Sequence, residues 1–292
     1  MQTSDILKRV RQIEFKTGKL VRETFAGEYL SVFKGQGIEF AEVRQYIAGD
    51  DIRSIDWSVS ARTGNTYVKK FNEERELSVI IACDVSASQY FGSKGNLKAE
   101  AAIELASVFA FSAIKNNDKV GLLLFSDKVE LYIPPRKGKR HVLRIIRELL
   151  AFEPKSKKTD ISLALSTLIR LIKRQGILLF ISDFVDEKYE RPFKLAARKF
   201  DLIPVIIEDP LEFNFPKLPA FIQIEDAEGS SSGGTLTSGS AKQIIEARKE
   251  VLSQALNLFK LSGVDYINID ASKNTLDPVI RFFKQRARKL GV

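Results

Sequence analysis

Residues 77–88 read LSVIIACDVSAS, and this stretch decides the fold. Val79 to Cys83 are apolar without a break, the pattern of a strand covered on both faces of its sheet, and Asp84 ends the run before a turn of small hydroxyl residues. Further apolar runs of strand length lie at Lys119–Phe125, Val129–Ile133, Ile177–Ile181, Leu202–Ile207 and Val264–Ile269. Helical periodicity separates them near Leu97–Lys115, His141–Ala151, Ile161–Lys173, Pro192–Arg198 and Ala241–Leu261, with a last helix at Pro278–Leu290. Such alternation predicts an α/β fold with a doubly wound, mostly parallel sheet of Rossmann type. Ser126, Asp127 and Lys128 alone join two of the runs, so one edge strand should be antiparallel.

The first 76 residues read differently. Ile6, Val10 and Ile13 fall at helical spacing and predict a short amphipathic helix. The glycine-punctuated pieces YLSVFKGQGIEF and TYVKKF favour short strands and turns, with too little apolar pattern for a core of their own. We therefore expect an N-terminal extension, 1–76, packed against an α/β domain, 77–292. The Gly- and Ser-rich segment Glu228–Ser240 is expected to be an exposed loop closing a small hairpin that starts with Phe221–Glu225.

Composition narrows the function. In 292 residues, 44% hydrophobic and 28% charged describe a folded chain rather than a disordered one. No apolar run approaches the length of about 18 residues that a membrane helix needs. The N-terminus, MQTSDILKRVRQIEF, carries charges where a signal peptide has its apolar core, which predicts a cytoplasmic protein. One histidine, His141, and one cysteine, Cys83, cannot assemble the usual His/Cys zinc site. Cys83 reads as core filler. A Ser-His-Asp hydrolase would have to use His141, which opens a helical pattern amid Arg and Lys. The net charge of +9 concentrates at Arg136–Arg140, Lys155–Lys158 and Arg281–Lys289, without the interleaved aromatics of a single-strand nucleic-acid surface.

Chemistry concentrates at strand ends. Asp84 ends the first buried strand, Ser86 and Ser88 follow in its turn, and Asp183 ends the apolar strand GILLFIS. Thr159 opens TDISLAL, a helix start. Ligands of open α/β sheets bind at the carboxyl ends of the strands, so all three loops converge if the first and fourth strands are neighbours. Two carboxylates and three hydroxyls make a hard, all-oxygen site suited to Mg²⁺ or another divalent cation, with room for one carboxylate from outside. Taken singly, Asp84, Ser86 and Thr159 could each be a helix cap.

The D-x-S-x-S of Asp84, Ser86 and Ser88, with Thr159 and Asp183, resembles the metal-ion-dependent adhesion site of von Willebrand factor A domains. The block EFAEVRQYIAGDDIRSIDWSVSARTGNTYVKKF, residues 39–71, resembles the signature of the bacterial A-like proteins associated with MoxR-type AAA+ ATPases, domain-of-unknown-function 58. The resemblance implies a non-catalytic, Mg²⁺-dependent protein-binding module that works with a MoxR-type ATPase and with other A-like proteins, in chaperone-like maturation or metal insertion. Asp50, Asp51, Arg53, Asp56 and Arg62 are expected to form a charge-paired patch around Trp57.

Two rivals stand beside this reading. A haloacid-dehalogenase-like phosphohydrolase also places an Asp at the end of its first strand, and Ser182, Asp183 and Asp186 loosely mimic its later acidic motif. It needs a second Asp two residues after the nucleophile, where this chain has Ser86. A basic nucleic-acid-binding protein would show steep salt dependence.

Overall fold

The computed structural model describes residues 3–20, 39–72, 77–92, 97–213, 222–224, 234–236 and 238–289. The chain divides into two compact units: the first 32 residues group with residues 78–292, and residues 33–77 form the second. The expected extension, 1–76, is thereby split, its opening helix belonging with the larger unit.

That helix, α1 (Thr3–Leu20), is longer than Ile6, Val10 and Ile13 alone require. The smaller unit holds strand β1 (Glu39–Gln45), helix α2 (Trp57–Thr63) and strand β2 (Tyr67–Asn72), with β1 and β2 antiparallel. Most of the expected YLSVFKGQGIEF strand lies outside the described residues. The Asp50–Arg62 block differs from expectation. Asp50 is held by two hydrogen bonds from Arg44 in β1, at 2.8 and 2.6 Å, and Asp56 faces Lys69 of β2 at 3.7 Å. Asp51 and Asp56 cap the two short helical turns that follow them. Trp57, at 68% exposure, stands outside this network instead of centring it; Asp50 and Asp56 turn to cations of the flanking strands, and Asp51 to the backbone it caps.

The larger unit is the α/β layer. Its strands are β3 (Ser78–Asp84), β4 (Lys119–Phe125), β5 (Val129–Arg136), β6 (Ile177–Ser182), β7 (Asp201–Glu208) and β10 (Ile267–Asp270). They form one sheet in the order β10–β7–β6–β3–β4–β5. All neighbours are parallel except β5, the antiparallel edge the three-residue connection predicts. Pro134 and Pro135 sit in that edge strand, where a missing donor is tolerated. Helices α3 (Lys98–Lys115), α4 (Lys139–Ala151), α5 (Ile161–Leu171), α6 (Glu190–Lys199), α7 (Ser238–Leu261) and α8 (Leu276–Lys289) join or follow the strands. Between β7 and α7 lies a two-stranded hairpin, β8 (Ile222–Ile224) with β9 (Gly234–Leu236). The Glu228–Ser240 segment, expected to be loop throughout, thus contributes β9 and the start of α7.

Strands β3, β4 and β6 are buried along nearly their whole length. On one face Ile80, Ala82, Phe125, Phe180, Phe184, Phe193 and Phe259 form a continuous apolar cluster. Cys83 is inside the sheet at 1% exposure, as its apolar context predicts. Gly176 lets β6 lie close to β3: a Cβ there would stand 2.3 Å from the Ser78 carbonyl oxygen. Strand order reverses at β3, whose neighbours β4 and β6 carry the chain in opposite directions, and the carboxyl ends of β3 and β6 therefore face one crevice.

Candidate metal centre

Asp84 is the last residue of β3 and is buried at 3% exposure. Its two oxygens are tied from different elements. The backbone N–H of Ser86 donates to Oδ1 at 2.9 Å, closing the turn that leaves β3, and the Ser182 hydroxyl at the end of β6 donates to Oδ2 at 2.8 Å. Ser182 Oγ in turn accepts from the N–H of Phe184 at 3.1 Å. Ser86 Oγ and Ser88 Oγ lie 3.0 Å apart, with Ser86 fully buried and Ser88 half-buried. The next residue, Gln89, is buried at 1% exposure with both amide atoms lacking a hydrogen-bond partner, so unmet polar capacity borders the turn.

Asp183 follows β6 and is buried beside Asp84. The residue after it, Phe184, has φ +56°, a left-handed conformation costly for a bulky side chain, which its buried ring among Phe180, Tyr189 and Phe259 holds in place. Packing thus fixes the bend that turns Asp183 into the crevice.

The two carboxylates are electrostatically unequal. Burial and the nearby charge of Asp183 push Asp84 up to about 7, against the hydrogen bonds from Ser86 and Ser182 that favour its charged form. Burial would raise Asp183 as well, but Lys98 and Arg248 overcome it and hold that carboxyl below the ordinary range. Lys98 Nζ donates to Asp183 Oδ2 at 2.8 Å and to Glu212 Oε1 at 2.7 Å.

Thr159 lies in the loop that completes the crevice. The N–H of Ala87 donates to the Lys157 carbonyl at 3.0 Å, and the N–H of Asp160 donates to the Ser126 carbonyl at 3.0 Å beyond β4. These bonds draw 157–160 alongside the Asp84–Ser88 turn. The helix begins at Ile161, as the periodicity predicts, and its cap is one residue later than Thr159: Asp160 accepts from the N–H of Leu163 at 2.7 Å, while Asp186 accepts from the N–H of Ile161 at 2.7 Å. Thr159 is consequently released from capping, half-buried at the edge of the site. Asp84, Ser86, Ser88 and Asp183 are gathered at the crevice, and the Thr159 loop flanks them.

The donor set fits a hard cation. Among the described residues no cation pairs with the buried Asp84 carboxylate, hydroxyls stand beside it, and oxygen is the ligand Mg²⁺ prefers. Among the described residues no three His, Cys, Asp or Glu side chains gather in a way that could hold a metal, so an ion here would rest on two carboxylates and on hydroxyls. The sequence named Ser182 only within the rival acidic motif, and gave no role to Lys98, Glu212 and Arg248. Only Lys98 leaves a local signal, as a cation in the first turn of a helix, where the macrodipole disfavours it.

A parallel sheet with one antiparallel edge, in this strand order and with the D-x-S-x-S turn at its switch point, defines a von Willebrand factor A-like α/β domain. The family model "Protein of unknown function DUF58" matches residues 42–249, and the chain belongs to that family. An uncharacterized protein of Mycobacterium tuberculosis is 25% identical over 96% of this chain and 89% of its own length. The protein YeaD of Bacillus subtilis is 26% identical over 37% of this chain and 25% of its own. Among solved structures, BatB of Bacteroides thetaiotaomicron is 19% identical, covering 73% of this chain and 99% of that one at a TM-score of 0.47.

Proposed function

We propose that the chain is a non-catalytic, Mg²⁺-dependent protein-binding module working in the cytoplasm with a MoxR-type AAA+ ATPase. The observation that carries this reading is the unbalanced Asp84 carboxylate beside the Ser86–Ser88 hydroxyl pair at the sheet's switch point. Asp84, Asp183, Ser86, Ser88 and Thr159 would hold the ion, which when bound supplies a Lewis-acidic position open to one carboxylate of a partner. The half-buried Ser88 and Thr159 give the site its opening, and exposed Lys155, Lys157 and Lys158 border it with positive potential that favours an acidic surface. The choice of a MoxR-type ATPase rests on the residues 39–71 signature and on family membership. Other A-like proteins are further candidate partners on the same ground.

Binding to the cognate ATPase should need Mg²⁺, weaken with salt, and fail in Asp84→Ala and Thr159→Ala. Binding unchanged by EDTA and by Asp84→Ala would move the interface to the Asp50–Arg62 block. The phosphohydrolase rival lacks a second carboxylate at Ser86, whose hydroxyl is engaged with Ser88. Turnover of a phosphate ester by the wild type, lost in Asp84→Asn, would nonetheless replace the binding reading with an enzymatic one.

A further inference from the structure

Lys98 is the least expected group in the crevice. It is the first residue of α3, at the end of the helix that repels cations, and its side chain is fully buried. Two carboxylates accept from its Nζ, Asp183 at 2.8 Å and Glu212 at 2.7 Å, the environment a buried ammonium requires. Glu212 is itself fixed: Oε2 accepts from the Asp209 N–H at 3.1 Å and lies 3.7 Å from Arg248 Nη2. Arg248 Nη1 donates to the Asp183 carbonyl at 3.1 Å, closing the loop back to the site. The cluster therefore sets four carboxylates, Asp84, Asp183, Glu212 and the neighbouring Glu208, against two cations, Lys98 and Arg248.

We propose that Lys98 is a resident counter-cation that shares Asp183 with the divalent-ion site, holding the site's affinity low and linking its occupancy to the Glu212–Arg248 pair. This rests on the metal reading given above. Without the ion, the ammonium keeps Asp183 from standing as an uncompensated buried charge, so the crevice stays folded. With the ion present, two positive charges compete for one carboxylate, and Lys98 must depend more on Glu212. Affinity is then set by residues that do not ligate the ion. Charge reasoning gives opposite signs for the two partners of the ammonium: removing Lys98 should tighten ion binding, and neutralising Glu212 should weaken it by leaving Lys98 wholly on Asp183.

The test is calorimetric titration of the full chain with Mg²⁺ and Mn²⁺ in the wild type, Lys98→Met and Glu212→Gln, alongside melting with and without EDTA. Lys98→Met should bind about tenfold more tightly, the order expected from deleting one nearby like charge in a partly shielded site. It should melt early in EDTA and recover with Mg²⁺. Glu212→Gln should bind several-fold more weakly. If Lys98→Met fails to fold in EDTA, its Mg²⁺-induced folding followed by circular dichroism gives the affinity, and absence of any such recovery counts against the proposal. A merely structural lysine would lower the melting temperature in both variants and leave both affinities at the wild-type value. That outcome overturns the role of Lys98 while preserving the metal site. No binding by the wild type but binding by Lys98→Met supports the proposal, whereas no binding by either overturns the metal reading and this inference together.

Discussion

Asp84 and Asp183 end neighbouring parallel strands, yet their charges meet different fates. Asp183 has an ammonium at 2.8 Å, whereas the hydrogen bonds to Asp84 come from neutral groups of Ser86 and Ser182. The consequence is a linkage prediction. In chelator, burial and then the Asp183 charge raise Asp84 from 3.8 to about 7, so the folded state holds its proton more tightly than the unfolded chain does. The associated stability is fully present below the unfolded value and is lost as pH rises through the folded one. With EDTA present, the protein should therefore melt at a higher temperature at about pH 5.5 than at about pH 8, apart from other groups, and Asp84→Asn should flatten that part of the difference. Mg²⁺ should act in the other direction, because a ligand carboxylate must be deprotonated, so its stabilisation should grow with pH. At a hundredfold excess over Kd the ion should add roughly 2.7 kcal/mol, absent in Asp84→Ala. Identical melting with Mg²⁺ and EDTA at about pH 8 would argue that the two carboxylates do not share an ion.

The crevice exists because β6 lies directly against β3, and at the amino end of that pairing the backbones approach closely at Gly176. A methyl at this position would press on the Ser78 carbonyl at 2.3 Å, a backbone atom that can move only with its strand. Gly176→Ala should cost about 1–3 kcal/mol by overpacking at the amino ends of the two strands, and any weakening of Mg²⁺ binding would report that the strain reaches their carboxyl ends. Circular dichroism melting and calorimetry would check the two effects, and a neutral substitution would show that the approach is not tight. Much of this layer was legible in the sequence, for a physical reason. A parallel sheet buries both faces of its strands, so SVIIAC and ILLFIS are written as unbroken apolar runs, and a three-residue connection can only turn back. The convergence of Asp84, Ser86, Ser88 and Asp183 was legible because they occupy strand ends and turn positions. The Lys98–Glu212–Arg248 chain was not, since it joins side chains 114 and 36 positions apart through contacts that no periodicity records. Nor was the capping by Asp160 settled, because Thr159 and Asp160 are both capping residue types, and tertiary bonds to Ser126 and Asp186 reinforce the choice of the better cap, Asp160.

The division of the chain into units gives the last prediction. Helix α1 precedes the smaller unit in sequence but packs with the α/β unit, where Val10 is buried at 7% exposure and Thr17 at 3%. Arg9 pairs with Glu100 of α3 at 2.6 Å, and Glu14 with Lys139 of α4 at 2.5 Å. The ion pairs are partly exposed and contribute little, so the apolar seam should carry most of the stabilisation. Burial of one valine is worth about 1.5–3 kcal/mol on its own. A fragment starting at Leu77 should therefore fold, because the sheet and its covering helices remain. It should melt several degrees below the full chain and bind an apolar dye through the uncovered faces of α3 and α4. Val10→Asp in the full chain should reproduce most of the loss while leaving residues 33–77 intact, which separates the helix from the small unit as its cause. Equal stability of the fragment and the full chain would show that α1 is an accessory to the α/β unit and that its seam contributes nothing measurable.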